Sequence, residues 1–303
     1  MKIVSVGTVA FDAIETPYGK TDKIVGGACT YISLSASYFN SSPNLISVVG
    51  EDFPEDTINL FNQRGINIEG LQIKKGEKTF FWSGKYHQDM NTRDTLDTQL
   101  NVLESFDPLV PASYQDCDIL MLGNLTPSVQ DKVIQQMNNR PKLIVLDTMN
   151  FWMEIAMEDL KNVIQKIDVL TINDEEARLL SGEYSLRKAA KLILKMGPKY
   201  LIIKKGEHGA LLFNGDNIFN APALPLEEVF DPTGAGDTFA GGFVGYLSTC
   251  DKIDWEAMKK AIIVGSAMAS FTVEKFGIER LISLDKSQIE SRINEFKNLV
   301  SFN

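Results

Sequence analysis

Strongly apolar runs at residues 3–6, 45–49, 119–122, 143–146, 169–172 and 201–203 punctuate the chain, each interrupted by no more than one Ser or Thr. A strand that offers water no polar face must be covered on both sides. Helix-patterned stretches lie between these runs, at residues 31–39, 55–64, 128–137, 153–167 and 186–196. Alternation of this kind predicts an α/β fold: a three-layer α/β/α arrangement around a mostly parallel central sheet.

Residues 78–86, KTFFWSGKY, break the pattern because aromatic and polar residues interleave and no helix follows directly. They read as an antiparallel strand, and with the stretch at 15–25 they form a small antiparallel sheet. Such a sheet, at about 13–25 and 78–100, is either a lid over a pocket or a surface hairpin. Two long helices, 255–273 and 286–300, close the chain. With no internal repeat and no low-complexity linker, residues 1–303 read as one domain carrying that lid.

The composition, 44% hydrophobic and 23% charged, suits a packed core. A formal net charge of −10 supplies no basic field for a nucleic-acid backbone, so no nucleic-acid partner is expected. The first apolar run is broken early by Asp12 and Glu15, which argues against a signal peptide. No segment approaches the roughly 20 apolar residues of a membrane span. No membrane association is therefore expected, and the cytoplasm is the expected location. Cys29, Cys117 and Cys250 are odd in number and widely spaced, which suits reduced thiols. Only His87 and His208 are available beside them, so a structural zinc site is not expected.

The segment DPTGAGDTFAGGF, residues 231–243, carries the most chemistry. Gly234, Ala235 and Gly236 precede a stretch of small and apolar residues, 238–247, that reads as a buried helix. Backbone N–H groups there are unobstructed, and the positive helix end favours anions. The segment is a phosphate cradle, or else a glycine-rich turn packing a helix closely on the sheet. A dinucleotide fingerprint starting at Gly234 fails at Phe239, and no Gly-Lys-Ser/Thr tripeptide or protein-kinase signature occurs. Asp237 is either a capping carboxylate or a catalytic base. At a helix N-terminus it is expected to be a low-pKa anion.

These residues resemble the ribokinase-like (PfkB) family of carbohydrate and nucleoside kinases, and the resemblance extends over nearly the whole chain. Its most specific signature, Asp-x-Thr-Gly-Ala-Gly-Asp, is matched by Asp231, Thr233, Gly234, Ala235, Gly236 and Asp237. The resemblance implies that Asp237 is the base and that the Gly234–Ala235–Gly236 amides form the anion hole. It implies ATP and Mg²⁺, with Asn173 and Glu176 of NDEEA reaching the metal through water, although Asn173 also suits a helix N-cap. It further implies a nucleotide turn at Lys205, Gly206 and Gly209, to which Thr233 and Asn173 add contacts. Lys204 stands where threonine is frequent, and Lys204 and Lys205 face either phosphates or solvent. Asp231 and Thr233 are candidate neighbours of a monovalent cation such as K⁺.

On the acceptor side, Asp12 and the pair Gly26-Gly27 resemble the family's sugar-binding residues, the glycines allowing close backbone approach. Asn91 and Arg93 are candidates for the substrate or the transferred phosphate, arginine offering a bidentate fork. Tyr31 stands where ribokinases often have Asn, which weakens ribose as the acceptor. The expected activity is ATP-dependent phosphorylation of a hydroxyl, expected to be primary, on a small sugar. A nucleoside acceptor, a non-catalytic sugar- or nucleotide-binding regulator and a hydride-transfer enzyme are the alternatives. A homodimer through the lid is a further expectation, since exposed strands invite pairing.

Overall fold

Side chains alternate across a strand, so an apolar run in a covered sheet feeds two cores at once. The computed structural model, which describes residues 1–40 and 42–301, has this arrangement. Val4 and Val6 enter one apolar cluster while Ile3 enters another, and Leu120 and Leu122 part from Ile119 and Met121 in the same way.

The strands are β1 Ile3–Val6, β2 Ala10–Thr16, β3 Gly19–Lys20, β4 Ile24–Gly26, β5 Asn44–Gly50, β6 Asn67–Lys74, β7 Phe81–Tyr86, β8 Arg93–Gln99, β9 Ile119–Leu122, β10 Leu143–Asp147, β11 Val169–Asn173, β12 Tyr200–Lys204, β13 Ala210–Asn214 and β14 Asn217–Ala221. The helices are α1 Ala28–Ala36, α2 Glu55–Gln63, α3 Pro127–Gln135, α4 Asn150–Ile155, α5 Met157–Ile164, α6 Asp174–Ser181, α7 Leu186–Leu194, α8 Ala235–Ser248, α9 Trp255–Thr272, α10 Glu279–Ile282 and α11 Lys286–Val300.

Nine strands form the main sheet in the order β14-β13-β12-β11-β10-β9-β1-β5-β6. Every join is parallel except the hairpins β12–β13 and β13–β14. Helices α3, α5, α6 and α7 cover one face, and α1, α8 and α9 the other. After β14 the chain is helical wherever it is regular, as expected. Strand β6 and the hairpin β13–β14 enlarge the sheet beyond the apolar runs. The single helix expected over 153–167 is two, because Ala156 leaves helical geometry at φ −141°.

The second sheet has the order β3-β2-β7-β8, with β4 paired to β2. Its joins are antiparallel apart from one, since β2 and β7 run parallel. In that register Asp12 lies beside Trp82, and Trp82 lies across from Thr98. Residues paired this way share a face, so Asp12, Trp82, Tyr86 and Arg93 project from the same side of the lid.

Candidate active site

The loop entering α8 is anchored before it is shaped. Asp231, 1% exposed, accepts the Thr233 amide at 2.8 Å on one carboxylate oxygen and the Gly277 amide at 2.9 Å on the other. Gly234 then turns through φ 74°, and a Cβ there would start 2.5 Å from the Tyr31 ring. Only glycine meets both demands. The Ala235 amide folds back onto the Pro232 carbonyl at 3.2 Å, leaving Gly236 and Asp237 to carry the open amides at the mouth of the helix. Of the expected Gly234–Ala235–Gly236 anion hole, the Ala235 donor is therefore engaged.

Asp237 sits in the first turn of α8 with one carboxylate oxygen, Oδ1, out of solvent and without a hydrogen-bond partner. The expectation of a low-pKa anion is corrected here. Burial, and after it the charge of Asp147, lifts this carboxyl to about 7, against the smaller opposing pull of Lys204 and Arg93. The helix end favours the anion, but the low-dielectric surroundings outweigh it.

Across the cleft Asp12 of β2, 5% exposed, is also pushed up to about 7, first by burial and then by Asp231, with the Gly27 amide opposing and Asp237 adding to the rise. Its Oδ2 lies 1.8 Å from where a Cβ on Gly26 would begin, and Gly27 adopts φ 91°. The double glycine therefore makes room for the Asp12 carboxyl and for a backbone that no L side chain adopts comfortably. The buried Tyr31 hydroxyl has no partner, and burial first, then the neighbouring Asp12, Asp231 and Asp237, push its pKa well above the usual phenol value. Thr233 Oγ1 donates to the Tyr86 hydroxyl at 3.2 Å, tying the lid to the cradle loop.

The residues expected on the nucleotide side lie at the ends of β11 and β12, beside Asp147 of β10. Asn173 caps α6, its Oδ1 accepting the Glu176 amide while Glu176 Oε2 accepts the Asn173 amide, both at 2.7 Å. Such a reciprocal box contributes about 1 kcal/mol. Asn173 and Glu176 thus do make the helix start that the sequence allowed. Glu176 is nevertheless buried, and that burial lifts its carboxyl to about 7 against Lys204 and the Asn173 amide.

Lys204 Nζ donates to Asp147 Oδ1 at 2.8 Å, and Thr171 Oγ1 donates to the same oxygen at 3.0 Å. The Lys205–Gly209 turn closes through the Lys205 amide onto the Gly209 carbonyl at 2.8 Å, with φ 53° at Gly206 and φ 80° at Gly209. Asn91, expected at the substrate, lies against Gly206 of this turn. The Arg93 guanidinium stands 6.0 Å above the Trp82 ring, and its charge is felt at both Asp237 and Glu176.

Asp147 and Tyr86 are site neighbours that sequence reasoning did not assign to chemistry, while Lys204, left open between phosphates and solvent, turns its ammonium to Asp147 and the head of α8. The signal for Lys204 was a lysine ending an apolar strand. Among the described residues, no group of three or more Asp, Glu, His or Cys side chains is placed to hold a metal. A hydrated Mg²⁺ that takes its remaining ligands from phosphate needs no such cage, and the Glu176 carboxyl, whose Oε1 lies outside the capping box, fits that habit.

The pfkB family carbohydrate kinase profile matches residues 1–283. A cytidine kinase from Thermococcus kodakarensis is 27% identical, covering 86% of this chain and 96% of the relative. A nucleoside kinase from Methanothermobacter thermautotrophicus is 25% identical, covering 91% of each chain. Among solved structures, a Methanocaldococcus jannaschii nucleoside kinase of the ribokinase family superposes with a TM-score of 0.77 at 22% identity, covering 97% of this chain and 99% of that one. A putative ribokinase II from E. coli in complex with ATP and Mg²⁺ gives 0.80 at 20% identity, covering 97% and 99%. No helix among the described residues is long and apolar enough to cross a membrane. By this profile and these relatives the chain belongs to the pfkB family of carbohydrate kinases, and it is a kinase of sugar or nucleoside hydroxyls.

Proposed function

We propose that this protein transfers the γ-phosphoryl group of ATP to the primary hydroxyl of a nucleoside. The carrying observation is the placement of Trp82 beside Asp12 on the face of the lid that also holds Tyr86 and Arg93. Trp82 reaches over Gly84 on that face. Its ring atom Cη2 is 2.2 Å from where a Gly84 side chain would begin, and its Nε1 donates to Thr95 Oγ1 at 3.3 Å. An indole held there offers a stacking surface for a base, while the Asp12 carboxylate accepts hydrogen bonds from ribose hydroxyls. The similarity to cytidine and nucleoside kinases supports the same acceptor class.

In this reading the acceptor oxygen forms a bond to the γ-phosphorus as the bond from that phosphorus to the ADP oxygen breaks, and the hydroxyl proton passes to the Asp237 carboxylate. The Gly236 and Asp237 amides and Arg93 face charge spreading over the phosphoryl oxygens. Asn173 and Glu176 would hold Mg²⁺ through water, and the metal would supply positive charge against the phosphates. The Gly206 turn seats the nucleotide. A free sugar is the second reading, supported by Asp12 and by the carbohydrate kinase profile.

An acceptor panel of cytidine, adenosine, inosine, ribose and fructose with ATP and Mg²⁺, followed by ADP release and product mass, separates the two. Nucleosides are expected to turn over best, and Trp82→Ala is expected to raise the nucleoside KM about tenfold or more, the scale of one lost base-stacking contact. Higher kcat/KM for a free sugar, or a Trp82→Ala enzyme with unchanged nucleoside KM, would exclude the base-stacking role.

A further inference from the structure

Strand β12 reads YLIIK, and its alternation carries the argument. Ile202 packs into the cluster that holds α8, and two residues later Lys204 leaves the sheet on the same side. Its ammonium therefore meets the N-terminus of α8. A side chain on Gly236 would begin 3.0 Å from Lys204 Nζ, so the ammonium fills the space beside the open amides of the cradle. A cation at the positive end of a helix is unfavourable by the dipole. Asp147 holds Lys204 there: its side chain is 8% exposed, Thr171 pins the accepting oxygen, and the lysine donates to that oxygen at 2.8 Å.

Ammonium and helix amides thus converge on one point at the head of α8, where Asp237 Oδ1, in the same first turn, has no hydrogen-bond partner. Register places Lys204 directly beside Asn173, at the edge where the Asn173–Glu176 box sits.

We infer that Lys204 is a catalytic residue that donates to the γ-phosphoryl group in transit between ATP and the acceptor, and that Asp147 is its positioning residue. This rests on the ATP reading above. The lysine adds a fixed positive charge that follows the phosphoryl oxygens as the bond to ADP breaks, and it keeps its proton throughout.

Binding and turnover test this together. Lys204→Met alone would leave Asp147 buried without its cation, so the informative protein is the double variant Lys204→Met/Asp147→Asn, with Lys204→Arg as the conservative partner. Calorimetry with Mg²⁺ and either ADP or β,γ-imido-ATP reads the γ position without any acceptor. The double variant is expected to bind the imido analogue about tenfold or more weaker while ADP affinity stays within about threefold, the pattern of one lost charge-assisted contact. With an acceptor, kcat is expected to fall about a hundredfold while acceptor KM holds, and Lys204→Arg recovers part of the kcat. Equal weakening of both nucleotides, unchanged binding of both, or wild-type turnover by the double variant overturns the inference and leaves the ATP reading standing. A wild-type protein that binds neither nucleotide overturns both.

Discussion

The side-chain oxygen of Asn91 lies 2.5 Å from the point where any side chain on Gly206 would begin. The tip of the β7–β8 hairpin therefore rests on the nucleotide turn, while the same sheet carries Asp12 at the acceptor end. The tip is stiffened for this contact. Asp89 accepts the Asn91 amide at 3.0 Å, the Thr92 amide at 2.9 Å and the Thr92 hydroxyl at 2.6 Å.

A methyl group at Gly206 collides with Asn91 and must also accept φ 53°. Gly206→Ala is expected to strain the turn and swing the exposed Asn91 side chain off it, raising the KM for ATP about tenfold, the range of a strained backbone, and the acceptor KM with it through the lost lid contact. Asn91→Gly in that background removes the collision and not the strain, so it should recover at least about threefold of the loss. A Gly206→Ala enzyme whose acceptor KM is untouched would show that the two sides of the cleft are not joined through the lid.

The sign of the pH dependence follows from burial. Asp237 and Asp12 are each pushed up to about 7, and each is useful as an anion, one taking a proton and the other accepting hydroxyl hydrogen bonds. The active fraction therefore falls as pH drops through 7, and kcat/KM should decline steeply on the acid side, with a log slope between one and two below about pH 6.5. A profile flat from pH 8 down to pH 5 would mean that neither carboxyl titrates where its surroundings put it.

The apolar runs were legible because a strand covered on both faces cannot alternate, and β1 and β9 follow them residue for residue. Strand β6 was hidden because it lies at the sheet edge, half-buried, with Glu69 and Gln72 interrupting its apolar residues. The break at Ala156 carries no Gly or Pro to announce it. Within the site, the motif residues that lie close in sequence were legible, since Asn173 with Glu176 and Gly234 with Asp237 obey local rules of capping and backbone geometry. The Lys204–Asp147 pair spans 57 positions, and no spacing rule reaches that far. The ionisation of Asp237 was misjudged for the same reason, because Asp147 and the surrounding burial come from remote parts of the chain.

That misjudgement has a measurable counterpart in stability. Asp237, Asp12 and Glu176 are all raised in the folded protein to about 7 from ordinary values near 3.8 or 4.5. Between those limits the folded chain holds protons that the unfolded chain has released, so the stabilisation is complete below the unfolded pKa and is lost as pH rises through about 7. Unfolding midpoints of the ligand-free protein should accordingly fall from pH 5.5 to pH 7.5.

Replacing Asp237 by Asn removes a buried charge with an unpartnered oxygen and leaves Lys204 its bond to Asp147. The variant should be more stable at pH 7.5 by on the order of 1–3 kcal/mol and should flatten the pH dependence, while turnover drops by roughly two to four powers of ten. Calorimetric melts at pH 5.5 and 7.5 beside a single-turnover assay read both effects on one preparation. Loss of stability at pH 7.5 would place Asp237 among the residues that hold the fold together, and near-normal turnover would remove it from the proton transfer.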